Sequence, residues 1–459
     1  MGPDRMPSQL TRFAARSLAG IARYSPIRAW MHGLARQYKE QEKTSAPPLG
    51  TEIPEITPLN PRLDTSNQAP RLNLLVPAVS ARHVFGGIET ALQVFEALCP
   101  HIERVRIIVM DEVAPEPRPD SYYGLWPVTQ LCEVPPDQSH IVAAGFRWNQ
   151  SLAVHAQDYF MATAWWTAHN GFALLDWQLR QSPAAVLRKM LYLVQDYEPG
   201  FYPWSSRYAL AQATYTHPQN TVAIINSREL ADYLVAQGHH LPCSFVLQPR
   251  LHPKLANNRN SRVHFVKERT MLVYGRPGTE RNAFVLLIAA LRLWAQSYPG
   301  AAQWNVISAG EDFPPVDLGQ GCLLRSVGKL DIEQYADLLA RSAVGLSLMI
   351  SPHPSYPPLE MAAFGVRVLT NNFANKNLSQ VSSYIRSVQH PEPAGIAAAL
   401  CLLTTRFDEG APQSGIVSRQ DIDWEGSFIS TEGQSWDWIP EAAQAIFGSN
   451  VLSTPDAKP

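Results

Sequence analysis

Short apolar segments alternate with amphipathic helical segments along this chain, and the series runs through twice. Leu72–Val76 opens the first series and Arg269–Tyr274 opens the second. Apolar segments of this length that alternate with helices are typical of parallel sheets covered on both faces. The sequence therefore predicts an α/β protein with two doubly wound, Rossmann-like domains in tandem, facing each other across a cleft.

Changes in composition along the chain predict the domain boundaries. The expected order is a basic amphipathic helical segment, a Pro-rich linker, an N-terminal domain, an interdomain connection, a C-terminal domain, a C-terminal helix and a flexible tail, at residues 1–43, 44–70, 71–250, 251–268, 269–430, 431–447 and 448–459. The basic, amphipathic pattern of residues 10–39 indicates peripheral contact with an anionic membrane surface. The alternative is packing on the protein itself or on a partner chain.

Composition excludes several classes of protein. A net charge of −2 argues against a nucleic-acid binder. Five scattered cysteines without a CxxC pair predict a reduced, cytoplasmic protein with no structural metal site. No apolar run is long enough for a transmembrane helix. We therefore expect a cytoplasmic protein. The basic segment leaves open a peripheral attachment at the inner face of the membrane.

The stretch 344–372 predicts a strand, a Pro-rich loop, a short helix and a second strand. Glu360 is expected in the first turn of that helix, at the edge of the sheet where open α/β proteins bind ligands. A carboxylate there suits the hydroxyls of a sugar or a ribose. The alternative is a carboxylate that stabilises the helix N-terminus.

Two strand-to-helix turns are candidate phosphate sites. Gly86 and Gly87 follow the first strand, where backbone N–H groups at a helix start could receive an anion. A tight turn is the alternative. Arg276 and Arg281 flank the turn that opens the second series, and two guanidinium groups there suit a diphosphate. The alternative is a pair of solvated surface arginines.

His169 and Asp196 are candidate catalytic residues of the first domain. Each is expected to follow a strand, in the sequences WWTAHN and LVQDYEP, and so to reach the ligand-binding edge of the sheet. Each could equally be a turn residue whose hydrogen bonds are satisfied locally.

Five segments in order resemble the retaining family-four glycosyltransferases of the GT-B fold. They are FGGIET, AIINSRELADYL, GRPGTER, SVGKL and PPLEMAAFG. Longer stretches, NLLVPAVSARHVFGGIET, YLVQDYEPGFYPW and SPHPSYPPLEMAAFG, are similar to the WsaF-like bacterial rhamnosyltransferases. The resemblance covers most of residues 71–410.

This resemblance implies a metal-independent, retaining transferase without a cofactor. Its donor would be a nucleotide sugar, dTDP-β-L-rhamnose, and its acceptor a growing surface glycan or a lipid-linked glycan. The resemblance places the donor on the second domain, at Gly328 and Lys329, His353, Tyr356 and Glu360, with Arg276 and Arg281 on the diphosphate. It also places the acceptor near Trp165, Trp166, His169 and the loop of residues 195–204.

One position departs from the broader family. That family carries a Glu eight residues before the carboxylate that Glu360 matches, and this chain has Pro352 there, beside His353. The departure puts the usual contact with the transferred sugar in doubt. A 6-deoxy sugar is compatible with it, and so is a contact made by His353 instead. The alternatives are a transferase for another nucleotide sugar, a GT-B nucleotide-sugar epimerase and a non-catalytic glycan-assembly protein.

Overall fold

The computed structural model describes residues 53–65, 69–81, 83, 86–181, 188–410, 415–430 and 436–448. These form two compact units. The N-terminal unit comprises residues 53–249, 351–353 and 436–448, and the C-terminal unit comprises residues 250–350 and 354–430. The predicted basic helices of residues 10–39 and the predicted tail beyond residue 448 lie outside the described residues. None of the described helices is long and apolar enough to span a bilayer.

The N-terminal unit is built on an eight-stranded parallel sheet, and two further short strands pair beside it. The strands are β1 (Pro61–Leu63), β2 (Arg71–Val76), β3 (Arg104–Val109), β4 (Val128–Gln130), β5 (His140–Ala143), β6 (Leu152–Val154), β7 (Tyr159–Ala162), β8 (Met190–Val194), β9 (Thr221–Ile225) and β10 (Ser244–Val246). Their order in the sheet is β10-β9-β8-β7-β2-β3-β5-β4, and β1 pairs with β6. The order reverses between β2 and β7, which is where doubly wound sheets bind ligands.

Helices cover both faces of this sheet. They are α1 (Gly87–Leu98), α2 (Trp165–Gln181), α3 (Ser206–Ala213) and α4 (Arg228–Ala236). The Asn226-Ser227 pair marks the start of α4, because the Ser227 hydroxyl accepts a hydrogen bond from the Leu230 N–H at 3.1 Å. Strands β2, β5, β7, β8 and β9 are buried along their whole length, as their mostly apolar sequences predict.

The described part of the predicted linker is packed on the N-terminal unit. Strand β1 lies within it and pairs with β6 in parallel. The Arg147 guanidinium donates hydrogen bonds to the carbonyls of Thr57, Pro54 and Glu55 at 2.6, 3.2 and 3.0 Å. A proline-rich composition does not reveal this anchoring, because the binding group lies 90 residues away on the chain.

The C-terminal unit repeats the same plan on a seven-stranded sheet. Its elements, with the returning C-terminal helix that belongs to the N-terminal unit, are α5 (Pro253–Asn260), β11 (His264–Val266), β12 (Glu268–Gly275), α6 (Phe284–Ser297), β13 (Asn305–Gly310), β14 (Val316–Gly319), β15 (Cys322–Ser326), α7 (Ile332–Arg341), β16 (Ser342–Leu346), α8 (Tyr356–Ala363), β17 (Arg367–Asn371), β18 (Ile385–Val388), α9 (Pro393–Asp408), β19 (Ile416–Ser418) and α10 (Ile439–Phe447). The order is β14-β15-β13-β12-β16-β17-β18, parallel except for β14. It reverses between β12 and β16.

The predicted fold class, α/β with two doubly wound domains of the Rossmann type, is confirmed. Local details differ. The region predicted as an interdomain connection contains α5 and β11, and β11 pairs with β19 inside the C-terminal unit. The strand expected at 344–350 is β16, which ends at Leu346. The expected stop at Gly365 is present, because Gly365 has φ +75°, a conformation that favours glycine.

Candidate functional site

Three glycine-bearing strand ends meet at the carboxyl edge of the C-terminal sheet. The Gly310 N–H donates to the Gly328 carbonyl at 2.9 Å, and the Glu311 N–H donates to the Gly275 carbonyl at 3.1 Å. A Cβ on Gly310 would lie 3.0 Å from the Gly275 carbonyl oxygen, and Gly310 has φ +133°. Only glycine fits such an approach, so the ends of β12, β13 and β15 form one closely packed backbone platform.

Two cations flank this platform. Arg276 directly follows β12, is half-buried and takes part in none of the ion pairs between described residues. Lys329 follows Gly328, and partial burial together with the Arg276 guanidinium lowers the pKa of its amine. Since the Arg276 charge is one of the causes of this lowering, the two cationic groups lie near each other. The arrangement offers a positive site for an anion.

Arg281 lies in the turn between β12 and α6, as predicted. Its carbonyl accepts a hydrogen bond from the Ile350 N–H at 2.7 Å, and the neighbouring Asn282 amide donates to the Leu348 carbonyl at 3.1 Å. The turn is therefore fixed to the segment that follows β16. Arg276 and Arg281 both lie at the point where the strand order of this sheet reverses.

Glu360 lies on α8, but not in its first turn. The helix begins at Tyr356, which makes Glu360 its fifth residue and removes the expected contact with the free N–H groups of the first turn. The helix starts one residue earlier than the prolines suggest because Ser355 takes φ +68° and turns the chain into it. A serine in this conformation is strained.

The Glu360 carboxylate is held by one partner and open on its other side. The Tyr335 hydroxyl, from α7, donates to its Oε2 at 3.0 Å. No described residue hydrogen-bonds the other oxygen, which keeps access to solvent. Burial raises the pKa of Glu360 to about 7, and the Tyr335 hydrogen bond opposes this rise. Burial and the nearby Glu360 carboxylate raise the pKa of Tyr356, one turn earlier, to about 12.

The structure brings Asp196 and His353 together within the N-terminal unit. The segment Ser351–His353 belongs to this unit. The Ser351 hydroxyl donates a hydrogen bond to Asp196 Oδ1 and accepts one from the His353 N–H at 3.1 Å. The His353 Nε2 lies 3.3 Å from the Asn226 amide nitrogen. Asp196 therefore follows β8 as predicted, and its carboxylate fixes the loop that carries His353.

Gly86 and Gly87, predicted as a phosphate site in this unit, have structural roles. Gly86 caps α1 with φ +54°, and a Cβ on Gly87 would collide with the Gln195 side chain, so a close approach is indeed required there. The approaching group is the protein's own amide. No described contact joins His169 to Asp196.

The expected position of His169 at a strand end is wrong. The residue lies in the second turn of α2, where burial and then the nearby His217 lower its pKa. The helix begins at Trp165 because the Thr167 hydroxyl accepts the Thr163 and Ala164 N–H groups, each at 2.9 Å, and the Glu198 carboxylate accepts that of Trp165. A strand followed by TAWWT gives little sign of these caps.

Sequence reasoning missed Tyr335 and Asp111. Tyr335 lies inside the amphipathic helix α7, and nothing local distinguishes it from a core residue. Asp111 comes two residues after β3, so the rule that selected His169 and Asp196 would have selected it too. Among the residues the structure describes, no group of three or more His, Cys, Asp or Glu side chains could hold a metal ion.

Comparison of the sequence with known proteins places the chain in a family. Residues 71–228 match the model of the WsaF N-terminal domain, and residues 269–401 match that of the WsaF C-terminal domain. A relative, the O-antigen biosynthesis protein RfbC of Myxococcus xanthus, is 31% identical over 332 residues, or 71% of this chain. The chain spans about a quarter of that relative's length, since the match covers 24% of it.

Several solved structures are similar at low sequence identity. WaaG, a glycosyltransferase involved in lipopolysaccharide biosynthesis, matches with a TM-score of 0.46 and 14% identity over 82% of this chain and all of its own. Anabaena HepE in complex with UDP and glucose gives 0.47 and 11% over 82% of this chain and 95% of its own. Sucrose-phosphate synthase from Thermosynechococcus elongatus gives 0.46 and 15% over 73% of this chain and 90% of its own. The fold of this chain is established by its own strand order.

Proposed function

This chain belongs to the WsaF family, and on that premise we propose that it is a glycosyltransferase whose donor is a nucleoside diphosphate sugar. The proposed reaction moves L-rhamnose from dTDP-β-L-rhamnose to a growing surface polysaccharide or lipid-linked glycan, with retention at the transferred carbon. The curated relative's name, an O-antigen biosynthesis protein, supports the polysaccharide class.

The observation that carries the proposal is the Glu360 carboxylate on α8, which has one oxygen hydrogen-bonded by Tyr335 and the other open. A carboxylate with one oxygen fixed by Tyr335 and the other open is ready to accept a hydrogen bond from a ligand hydroxyl. A buried carboxylate is costly to keep ionised, and its pKa of about 7 reflects that cost. A ligand hydroxyl that donates a hydrogen bond to the carboxylate would offset this cost. We assign this hydroxyl to the nucleoside.

The diphosphate belongs at the positive site formed by Arg276 and Lys329, with Arg281 on the same turn. The leaving group of a nucleotide sugar gains negative charge as the glycosidic bond breaks, so cations positioned there lower the barrier. In this proposal the three cations do the work that a divalent metal does in other transferases. The reaction then needs neither metal nor cofactor, and the leaving phosphate itself can take the proton of the acceptor hydroxyl.

Pro352 supports a 6-deoxy sugar as the transferred group. Its side chain has no polar atom, and it is buried in the segment that the Asp196–Ser351 hydrogen bond fixes. The broader family has a carboxylate at this position, so a sugar with one hydroxyl fewer is compatible with its loss.

A thermal-shift panel tests the proposal. A ligand that binds only the native state raises the melting temperature, and at equal concentration the tighter ligand raises it more. We expect dTDP and dTDP-β-L-rhamnose to raise it more than UDP, GDP or their sugars. The matched control, Glu360→Gln, keeps the shape of the side chain and should lose most of this shift. A panel without preference for the dTDP compounds would contradict the donor assignment.

A further inference from the structure

We infer that Asp111 is the residue of the N-terminal unit that accepts a hydrogen bond from a hydroxyl of the acceptor sugar. The inference rests on the proposed transferase function and adds to it the site on which the neutral acceptor is recognised.

Asp111 lies where this sheet can bind a ligand. It follows β3 by two residues, and its N–H donates to the Pro77 carbonyl at 3.0 Å, directly after β2. Strand β2 borders the point at which the strand order reverses. Crevices outside the carboxyl ends of the strands at such a point are the usual ligand sites of doubly wound sheets.

No described residue donates a hydrogen bond of good geometry to the Asp111 carboxylate, although the Trp166 indole N–H lies beside it. Asp111 is half-buried, and its carboxylate oxygens keep access to solvent. Burial raises the pKa of Asp111 to about 7, although the nearby Arg147 and Trp166 oppose the rise. The neighbouring Glu112 differs, because its Oε2 accepts the N–H groups of Val79 and Ser80 at 3.0 and 3.2 Å and so holds the loop after β2.

The charges around Asp111 select a neutral ligand. Glu55 and Glu112 add negative potential, so an anion such as a phosphate would be repelled. A cationic ligand would meet the buried Arg147, whose guanidinium donates to the carbonyls of Met110 and Ala144 as well as to the residue 54–57 segment. A hydroxyl that donates to the carboxylate brings no charge into this setting. Among neutral ligands, a polyhydroxyl compound such as the acceptor sugar supplies such a hydroxyl.

Trp166 borders this site, and its indole N–H can be used to detect ligand binding. Its indole N–H lies beside Asp111 and, among the described residues, has no hydrogen-bond partner in good geometry. The ring meets Trp165 edge-on, with centroids 5.8 Å apart. An N–H so close to a carboxylate is sensitive to what that carboxylate binds. The aromatic ring also suits the apolar face of a sugar.

Nuclear magnetic resonance of the full chain with ¹⁵N-labelled tryptophan tests the inference directly. The Trp166→Phe variant identifies the indole signal. We expect that signal to move saturably with at least one of the methyl glycosides of rhamnose, mannose, glucose and galactose. No movement with any of them, in a protein that transfers rhamnose, would mean that only water fills the site, and it would overturn the inference.

Kinetics of Asp111→Asn supply the second test. Loss of a hydrogen bond to a charged group predicts an acceptor KM raised about tenfold or more, with little change in the affinity for the donor. The matched control is Asp176→Asn, an exposed carboxylate on α2. An unchanged acceptor KM in a stable Asp111→Asn protein would contradict the inference. Failure of the wild type to bind any donor would instead contradict the proposed function, and the glycoside titration would still decide the site.

Discussion

Removing the Tyr335 hydroxyl should weaken donor binding in a way that depends on pH. Tyr335→Phe deletes the one hydrogen bond that a described residue gives to the Glu360 carboxylate. A hydrogen bond to a charged group contributes about 1.5–3 kcal/mol, which corresponds to about one to two pKa units. From its value of about 7, the pKa of Glu360 should therefore rise to about 8–9 in the variant.

The sign of the effect follows from which form binds. The ionised carboxylate is the better acceptor for a ligand hydroxyl, so donor affinity falls as the pH falls through the pKa of Glu360. At pH 7 the ionised fraction drops from about one half to between about one tenth and one hundredth. The apparent Kd for the donor then rises about 5- to 50-fold. At pH 9.5 both proteins are mostly ionised, and their affinities should agree within about twofold.

Isothermal titration calorimetry of dTDP-β-L-rhamnose into both proteins, between pH 6 and 9.5, measures the apparent Kd at each pH. The tyrosine does not touch the donor in the proposed arrangement, so high pH should restore binding to Tyr335→Phe. A defect of equal size at every pH would mean that the hydroxyl supports the fold or contacts the donor itself. Wild-type affinity at every pH would refute the role given to the Tyr335–Glu360 hydrogen bond.

Other predictions concern the cations and the carboxylate of the C-terminal unit. Arg276→Ala should reduce transfer by at least about 100-fold, the scale of one lost charge partner in the transition state, and normal turnover in a folded variant would remove Arg276 from the mechanism. Transfer should persist in excess chelator. A loss that Mg²⁺ restores would contradict the proposal that Arg276, Arg281 and Lys329 take the place of a metal ion. Glu360→Gln should lose donor affinity yet melt at a higher temperature than the wild type at pH 8, because a carboxyl whose pKa is raised by burial destabilises the fold once it ionises; a lower melting temperature would contradict this. Lys267→Met should cost about 2–5 kcal/mol in denaturant unfolding, because its buried amine donates to the Leu339 and Phe364 carbonyls at 3.1 and 2.7 Å, and an unchanged midpoint would contradict this.

The repeated alternation of apolar strands and helices was enough to predict the fold class and both sheets. It works because a parallel strand covered on both faces must be apolar throughout. The residues at which helices begin were harder to predict from the sequence. The start of α4 at Ser227 could be predicted from a local capping side chain, whereas the start of α2 depends on Glu198, which is distant in sequence. This difference explains why His169 was misplaced.

The candidate site divides in the same way. Arg276 and Arg281 could be selected because their turn follows a recognisable strand. Glu360 was found, but its actual environment depends on Tyr335 from another helix, and no local pattern predicts a contact between residues 25 positions apart. The packing of residues 53–65 on Arg147 was missed for the same reason. Side chains that act across the fold become visible only in three dimensions.

The central claim is that this chain cleaves dTDP-β-L-rhamnose only to transfer its sugar. Its most direct test follows dTDP release by phosphorus NMR, with and without a panel of rhamnose-terminated glycans, and determines the anomeric configuration of the product. We predict release that requires a glycan, persists in chelator and yields a new β-rhamnosyl bond. Release that proceeds equally without a glycan, a product of inverted configuration, or no release with any glycan would contradict the account.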